Sequence, residues 1–156
     1  MCTGLAFSLP EGSKTIPPTL HTIYDEYASD LHYPPPVTGF LLPWAKQGVL
    51  LWNVIPVCEK WKSMSCDWVE WEFLNRELIE KLKEKGVVFV FLGGRARSYI
   101  TKDLYEAKNC RVIEASHPSP RASRSANNPF IGSRIFSRIN QALNEIGLET
   151  IEWRLP

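Results

Sequence analysis

The amino-acid sequence predicts an α/β fold, a three-layer sandwich in which helices flank a parallel β-sheet. Three observations lead there. Short runs of strand-forming residues recur at Val49–Trp52, Val87–Leu92 and Arg111–Ala115. The first two are continuously apolar rather than alternating, as in strands covered on both faces. Amphipathic helical segments separate the runs, and the order βαβαβα calls for parallel strands joined by right-handed crossovers. With 156 residues, 44% hydrophobic and 22% charged, the chain suits one domain spanning residues 1–156 and excludes disordered or low-complexity classes.

Taken in order, Pro17-Pro18 introduces a helical stretch from Leu20 to Leu31, with Ile23, Tyr27 and Leu31 as its packed stripe. Tyr33-Pro34-Pro35-Pro36 then forces an extended loop, because proline cannot continue a helix and restricts the residue before it. Between the first two strands, Trp68–Lys85 places Trp71, Leu74, Leu78 and Leu82 at helical spacing, with Lys81, Lys83 and Lys85 near its negative end. Gly86 stops that helix. A shorter helix is expected over Ala96–Ala107. The last is expected over Ser133–Ile146, carrying Ile135, Phe136, Ile139, Leu143 and Ile146 on one side and ending at Gly147.

Several function classes fall away. The longest apolar runs are far too short to cross a bilayer, so no membrane partner is expected. Met1–Phe7 carries no positive charge and does not resemble a secretory leader, which predicts an intracellular protein of the cytoplasm or nucleus. Cys2, Cys58, Cys66 and Cys110 are scattered, without a Cys-x-x-Cys pair for a metal, and are expected as free thiols in a reducing compartment. The net charge of +1 hides an asymmetry. Residues 1–92 hold 8 basic and 11 acidic side chains, whereas residues 93–140 hold 9 basic and 3 acidic. Such an Arg-rich segment is either a solvated face or an electrostatic footprint for phosphates.

In an open α/β sheet, ligands bind beyond the carboxyl ends of the strands. The three strand exits carry Asn53, Gly93-Gly94 and Ser116-His117-Pro118-Ser119-Pro120. An Asn amide offers one acceptor and two donors, enough to read a base edge. A glycine pair lets backbone N–H groups approach a phosphate. A histidine held against Pro-Ser-Pro suits a donor of fixed direction. Each also has a plain structural alternative, as a turn cap, a simple turn or a satisfied loop histidine. Their convergence at three exits of one sheet, beside the Arg-rich segment, favours a site.

Six segments in order resemble the uracil-DNA glycosylase family. These are Gly4-Leu5-Ala6-Phe7-Ser8, Pro17-Pro18-Thr19-Leu20, Trp44 to Asn53, Val87 to Gly94, His117-Pro118-Ser119-Pro120, and Phe130 to Ser137. The resemblance implies an enzyme of base-excision DNA repair, a hydrolase that flips uracil out of DNA and cleaves its N-glycosidic bond. It implies that Phe7 stacks on the flipped base, that Asn53 reads the uracil N3–H and O4, and that neutral His117 donates to O2 as the bond breaks. Thr19, Gly94, Arg95, Ser119, Arg121, Ser123 and Arg124 are implied as DNA contacts. Uracil-containing DNA is the implied partner of a monomer, and no metal or organic cofactor is implied.

The chain also departs from the family pattern. No Gln-Asp-Pro occurs in it, whereas the family carries a Gly-Gln-Asp-Pro-Tyr-His segment on a central strand, upstream of the Phe7 region. The Asp of that segment positions the attacking water and its Tyr excludes thymine. The sequence is therefore expected to be N-terminally truncated relative to the family, with a central fourth strand missing and little activity alone. Alternatives are a partner chain that supplies the strand, or a non-catalytic DNA- or partner-binding remnant. A generic nucleotide-binding domain would need a Gly-rich loop where Val54-Ile55-Pro56 stands. Arg121 occupies the family's apolar wedge position, Ala122 replaces its following Ser with Ser123 one place later, and Cys66 stands where the family often has His.

Overall fold

The computed structural model describes residues 3–56, 68–124 and 127–155. Cys2, Cys58 and Cys66 lie outside the described residues, and Cys110 is a buried free thiol. The described elements are α1 (Pro18–Leu31), α2 (Leu42–Ala45), α3 (Trp68–Lys85), β1 (Val88–Leu92), α4 (Gly94–Arg97), α5 (Lys102–Glu106), β2 (Arg111–Ala115) and α6 (Ile135–Glu145). Strands β1 and β2 pair in parallel, in a register running from Val88 opposite Arg111 to Leu92 opposite Ala115.

Two cores on opposite faces of this sheet make the three layers. On one face, Phe89 and Phe91 stack at 5.9 Å and pack with Tyr99, Leu104 and Cys110, against which Ile79 and Leu82 of α3 also lie. On the other, Ile113 and Ala115 join Leu20, Ile23, Tyr24 and Tyr27 of α1 and Ile135, Phe136 and Ala142 of α6. Val88, Val90 and Leu92 close against this second core. The alternation along β1 assigns each face its helices, as a doubly covered sheet requires.

Pro18 is the first residue of α1, where its missing N–H costs nothing. The helix ends at His32 in the left-handed region (φ 59°), whose N–H reaches the Ala28 carbonyl. Tyr24 donates to the Thr38 carbonyl at 2.6 Å, pinning the proline-rich loop that returns beneath α1. At the far end, Trp44 donates its indole N–H to the Trp153 carbonyl at 2.9 Å, and the Phe136 and Trp153 rings meet edge to face at 5.1 Å.

Three expectations are corrected. Val49–Trp52 forms no strand among the described residues. Its recorded backbone bonds, Ala6 N–H to the Leu51 carbonyl and Val49 N–H to the Trp44 carbonyl, lead to a loop and a helix end rather than to a ladder. The single helix expected over Ala96–Ala107 is two short ones, α4 and α5. On α3, Leu74 is exposed while Asn75 is buried, so the inward stripe passes through a polar residue. Asn75 tolerates this because its amide is hydrogen-bonded to Trp52, Val54 and Tyr99.

Two carboxylates on α1, missed by the sequence reading, hold the start of α6. Glu26, 1% exposed, accepts the Gly132 and Arg134 backbone N–H groups at 2.5 and 2.6 Å. Asp30 accepts the Ser137 N–H and hydroxyl at 2.8 and 2.6 Å. Replacing Glu26 with Ala removes a buried carboxylate and with it two charge-assisted bonds to the turn that opens α6. Glu26→Ala is expected to lower unfolding free energy by roughly 2–4 kcal/mol, read by urea denaturation. A loss below about 0.5 kcal/mol, the level of an ordinary surface substitution, would contradict a structural role for these bonds.

Candidate functional site

The candidate site is assembled where β1 and β2 end. Directly after β1, Gly93 donates its N–H to the Ala115 carbonyl at 2.9 Å, which ties the exits of both strands together. Gly93 has φ 90°, and a Cβ built on it would lie 3.0 Å from the His117 Cβ. Glycine is required twice over here, once by the backbone conformation and once by the closeness of His117. Gly94 is exposed at the start of α4, followed by exposed Arg95.

His117 follows β2 through buried Ser116. The Ser119 backbone N–H donates to His117 Nδ1 at 3.0 Å. Because Nδ1 accepts, the neutral ring carries its proton on Nε2, which becomes a donor of fixed direction. Although one edge of the residue is exposed, burial of the ring pushes its pKa below the ordinary histidine value. Protonation would also cost the Ser119 bond.

The loop beyond His117 is braced from within. Pro118 is fully buried. The Ser119 carbonyl accepts the Ala122 and Ser123 N–H groups, and the Ser123 carbonyl accepts those of Phe130 and Ile131. Phe130 N–H also bonds Ser116 Oγ at 2.9 Å. Ser123, expected as a DNA contact, is 1% exposed with its hydroxyl toward the Pro120 carbonyl at 3.5 Å. Its hydroxyl is turned toward the loop backbone.

Phe7 stands across from His117, with ring centroids 6.1 Å apart and planes inclined at 54°. Its φ of 64° is unusual for a bulky residue and marks local strain held by the surrounding structure. The neighbouring Ala6 N–H bonds the Leu51 carbonyl at 3.0 Å, which joins the Phe7 turn to the segment that ends in Asn53. Asn53 is exposed between Trp52 and Val54. Thus Phe7, Gly93 and His117 are brought together, and Asn53 is tied to them through the Phe7 turn.

Thr19 lies in the first turn of α1. Pro18, His21, Thr22 and Asp25 from that helix face Pro120, Ser123, Arg124 and Ile131 across an open groove of about 320 Å³. Arg121 and Arg124 are exposed along the loop. Other members of the Arg-rich segment serve the fold. Arg111 pairs with Glu145 at 2.9 Å, Arg134 lies 3.7 Å from Asp30, and Arg138 donates to the Ser133 carbonyl. Among the described residues, no group of three or more His, Cys, Asp or Glu side chains is arranged to hold a metal ion.

Fold and site together define an α/β domain with its polar centre at the carboxyl ends of parallel strands, bordered by a loop rich in arginine. A family model, the Uracil DNA glycosylase superfamily, matches residues 2–144. The uracil-DNA glycosylase of Enterococcus faecalis is 42% identical over 155 residues, covering 98% of this chain and 66% of that protein. That of Mycobacterium tuberculosis is 41% identical over 154 residues, with the same shares covered. The chain spans 66% of the length of these relatives. A mimivirus uracil-DNA glycosylase shares the fold at a TM-score of 0.80 and 24% identity, over 97% of this chain and 60% of that one. The chain belongs to the uracil-DNA glycosylase superfamily.

Two outcomes follow from the geometry. Imidazole ¹H–¹⁵N spectra should show His117 as the Nε2–H tautomer at neutral pH, with a midpoint below the usual value of about 6.5. Stability owed to neutral His117 is then complete above that value, and is lost as pH falls through the lower midpoint of the folded protein. A midpoint above 6.5, or an Nδ1–H tautomer, contradicts the Ser119 bond. Separately, Gly93→Ala should destabilise the fold by at least about 1 kcal/mol, from its positive φ alone, and should shift the His117 resonances.

Proposed function

We propose that the protein is a uracil-DNA glycosylase, acting inside the cell as a monomer on uracil-containing DNA, with residues 1–156 as one domain of its catalytic fold. The observation that carries this is the Ser119 N–H to His117 Nδ1 bond. It aims a neutral Nε2–H donor into a site faced by an aromatic ring 6.1 Å away. Relatives named uracil-DNA glycosylase along nearly the whole chain support the same function.

The chemistry follows from the groups at hand. The target nucleotide leaves the stack, at a cost of a few kcal/mol, and its base stacks on Phe7, a contact worth roughly 1–3 kcal/mol by analogy with other base–aromatic pairs. The Asn53 amide accepts from N3–H and donates to O4. Cytosine has no N3–H and carries an amino group in place of O4, so it leaves that amide mispaired. When the C1′–N1 bond breaks, its electron pair departs on the base and negative charge builds at O2. The Nε2–H of His117 meets that charge. Water supplies the oxygen that joins C1′, and the proton it gives up neutralises the departing uracil anion.

Thr19, Gly94, Arg95, Ser119, Arg121 and Arg124 hold backbone phosphates, which set position without reading sequence. Arg121 can also occupy the vacated stack through its planar guanidinium. Ser123 supports the loop from inside. A second reading is DNA binding without excision by the 156-residue chain, within which no Gln-Asp-Pro run lies. In the family pattern that run carries the carboxylate that positions the water.

Binding tests the base pocket, and excision tests the second reading. The 156-residue chain should prefer a uracil-containing duplex over its thymine counterpart by about tenfold, a modest margin for a polar base pocket, with little or no excision. Sustained release of uracil would eliminate the non-catalytic reading, and equal binding of both duplexes would remove the base pocket itself. Arg121→Leu should reduce the salt slope of binding by about one. A simultaneous change in base flipping, read by 2-aminopurine fluorescence, would assign Arg121 the wedge role.

A further inference from the structure

Asn53 is exposed, yet the residues on both sides of it are held by a single buried side chain. Asn75 of α3 is 3% exposed. Its Oδ1 accepts the Trp52 indole N–H at 2.8 Å. Its Nδ2 donates to the Val54 carbonyl at 2.8 Å and to the Tyr99 hydroxyl at 3.0 Å. Both amide hydrogens are used, which is what burial of an amide demands. The orientation of the amide is also determined by its partners. An indole N–H can only donate and a carbonyl can only accept, so turning the amide over would oppose donor to donor and acceptor to acceptor.

We propose that Asn75 is a positioning residue for Asn53, fixing the chain on both sides of the base-reading amide and so setting uracil selectivity. This rests on the reading of Asn53 as the residue that recognises the base edge. Recognition through two hydrogen bonds tolerates little misplacement, and a shift near 1 Å can cost on the order of a hundredfold. A turn ending in Val54-Ile55-Pro56 has no strand ladder of its own among the described residues to hold it. The clamp from α3 takes that place. Through Tyr99, just beyond α4, the same amide reaches the segment that begins with Gly93, the residue packed against His117. One side chain thereby registers the base-reading turn against the turn that carries the leaving-group donor.

The test compares the 156-residue chain with Asn75→Leu, which keeps volume and removes all three bonds, and with Asn75→Asp, which keeps only the acceptor for Trp52. Affinity is measured for oligonucleotides with one deoxyuridine or one deoxycytidine at the same place. Asn75→Leu should lower the deoxyuridine preference about tenfold, as expected when a hydrogen-bonding pocket loses its alignment, while affinity for uracil-free DNA stays within about twofold because phosphate contacts are untouched. Asn75→Asp should fall between. An unchanged preference in Asn75→Leu would overturn the proposal and leave Asn75 a packing residue.

Should Asn75→Leu fail to fold, Trp52→Phe and Tyr99→Phe each remove one bond, and each should reduce the preference by about twofold to fivefold if the bonds act together. No reduction in either overturns the clamp. If the unsubstituted chain shows no deoxyuridine preference, the base-reading role of Asn53 fails separately. The side-chain amide resonances of Asn53 then decide the positioning claim. They should shift or broaden in Asn75→Asp, and identical spectra would refute it.

Discussion

The loop that carries His117 depends on two carboxylates one turn apart on α1. Glu26 takes the Gly132 and Arg134 N–H groups, and Asp30 takes the N–H and hydroxyl of Ser137. Buried carboxylates are unfavourable unless each finds donors. Here they meet the opening turn of α6, whose unpaired N–H groups and dipole favour negative charge. The gain is positional as well as energetic. With the start of α6 fixed, Phe130 can bond Ser116 Oγ and the Ser123 carbonyl. The loop carrying His117 is therefore anchored at one end by β2 and at the other by α1, through α6.

This arrangement reconciles an exposed site with defined geometry. His117, Arg121, Arg124 and Asn53 all reach the surface, where side chains ordinarily sample several rotamers. Their supports do not. Gly93 packs tightly under His117, Ser119 N–H sets the ring's tautomer, and Asn75 grips both neighbours of Asn53. Loops supply the chemistry while the sheet and two helices supply the coordinates, the usual division of labour for a functional loop on a rigid scaffold.

Much of this was legible in the residues. The apolar runs at Val87–Leu92 and Arg111–Ala115 located β1 and β2, and the order of elements gave the layers. The strand-exit rule pointed to Gly93-Gly94 and His117, which follow the ends of β1 and β2. Val49–Trp52 misled because its composition is that of a strand, while strand formation depends on a neighbour that composition cannot supply. Leu74 misled for a related reason, since helical spacing leaves 74 and 75 almost equally able to face inward. What turned Asn75 inward was a set of partners from residues 52, 54 and 99, distant in sequence. Glu26 and Asp30 did leave a signal, two acids four apart beside the stripe of Ile23 and Tyr27. Only their partners more than a hundred residues away explain them.

That separation has a consequence for how the molecule comes together. Gly132 and Arg134 meet Glu26 across 106 and 108 positions, whereas β1 meets β2 across a short crossover. Closing the longer loop costs more chain entropy and belongs to the slower, non-local part of folding. The sheet can pair while α1 is still undocked, but the His117 loop settles only after the two halves of the chain have met. The geometry of the His117 loop is thereby reserved for molecules that have finished folding.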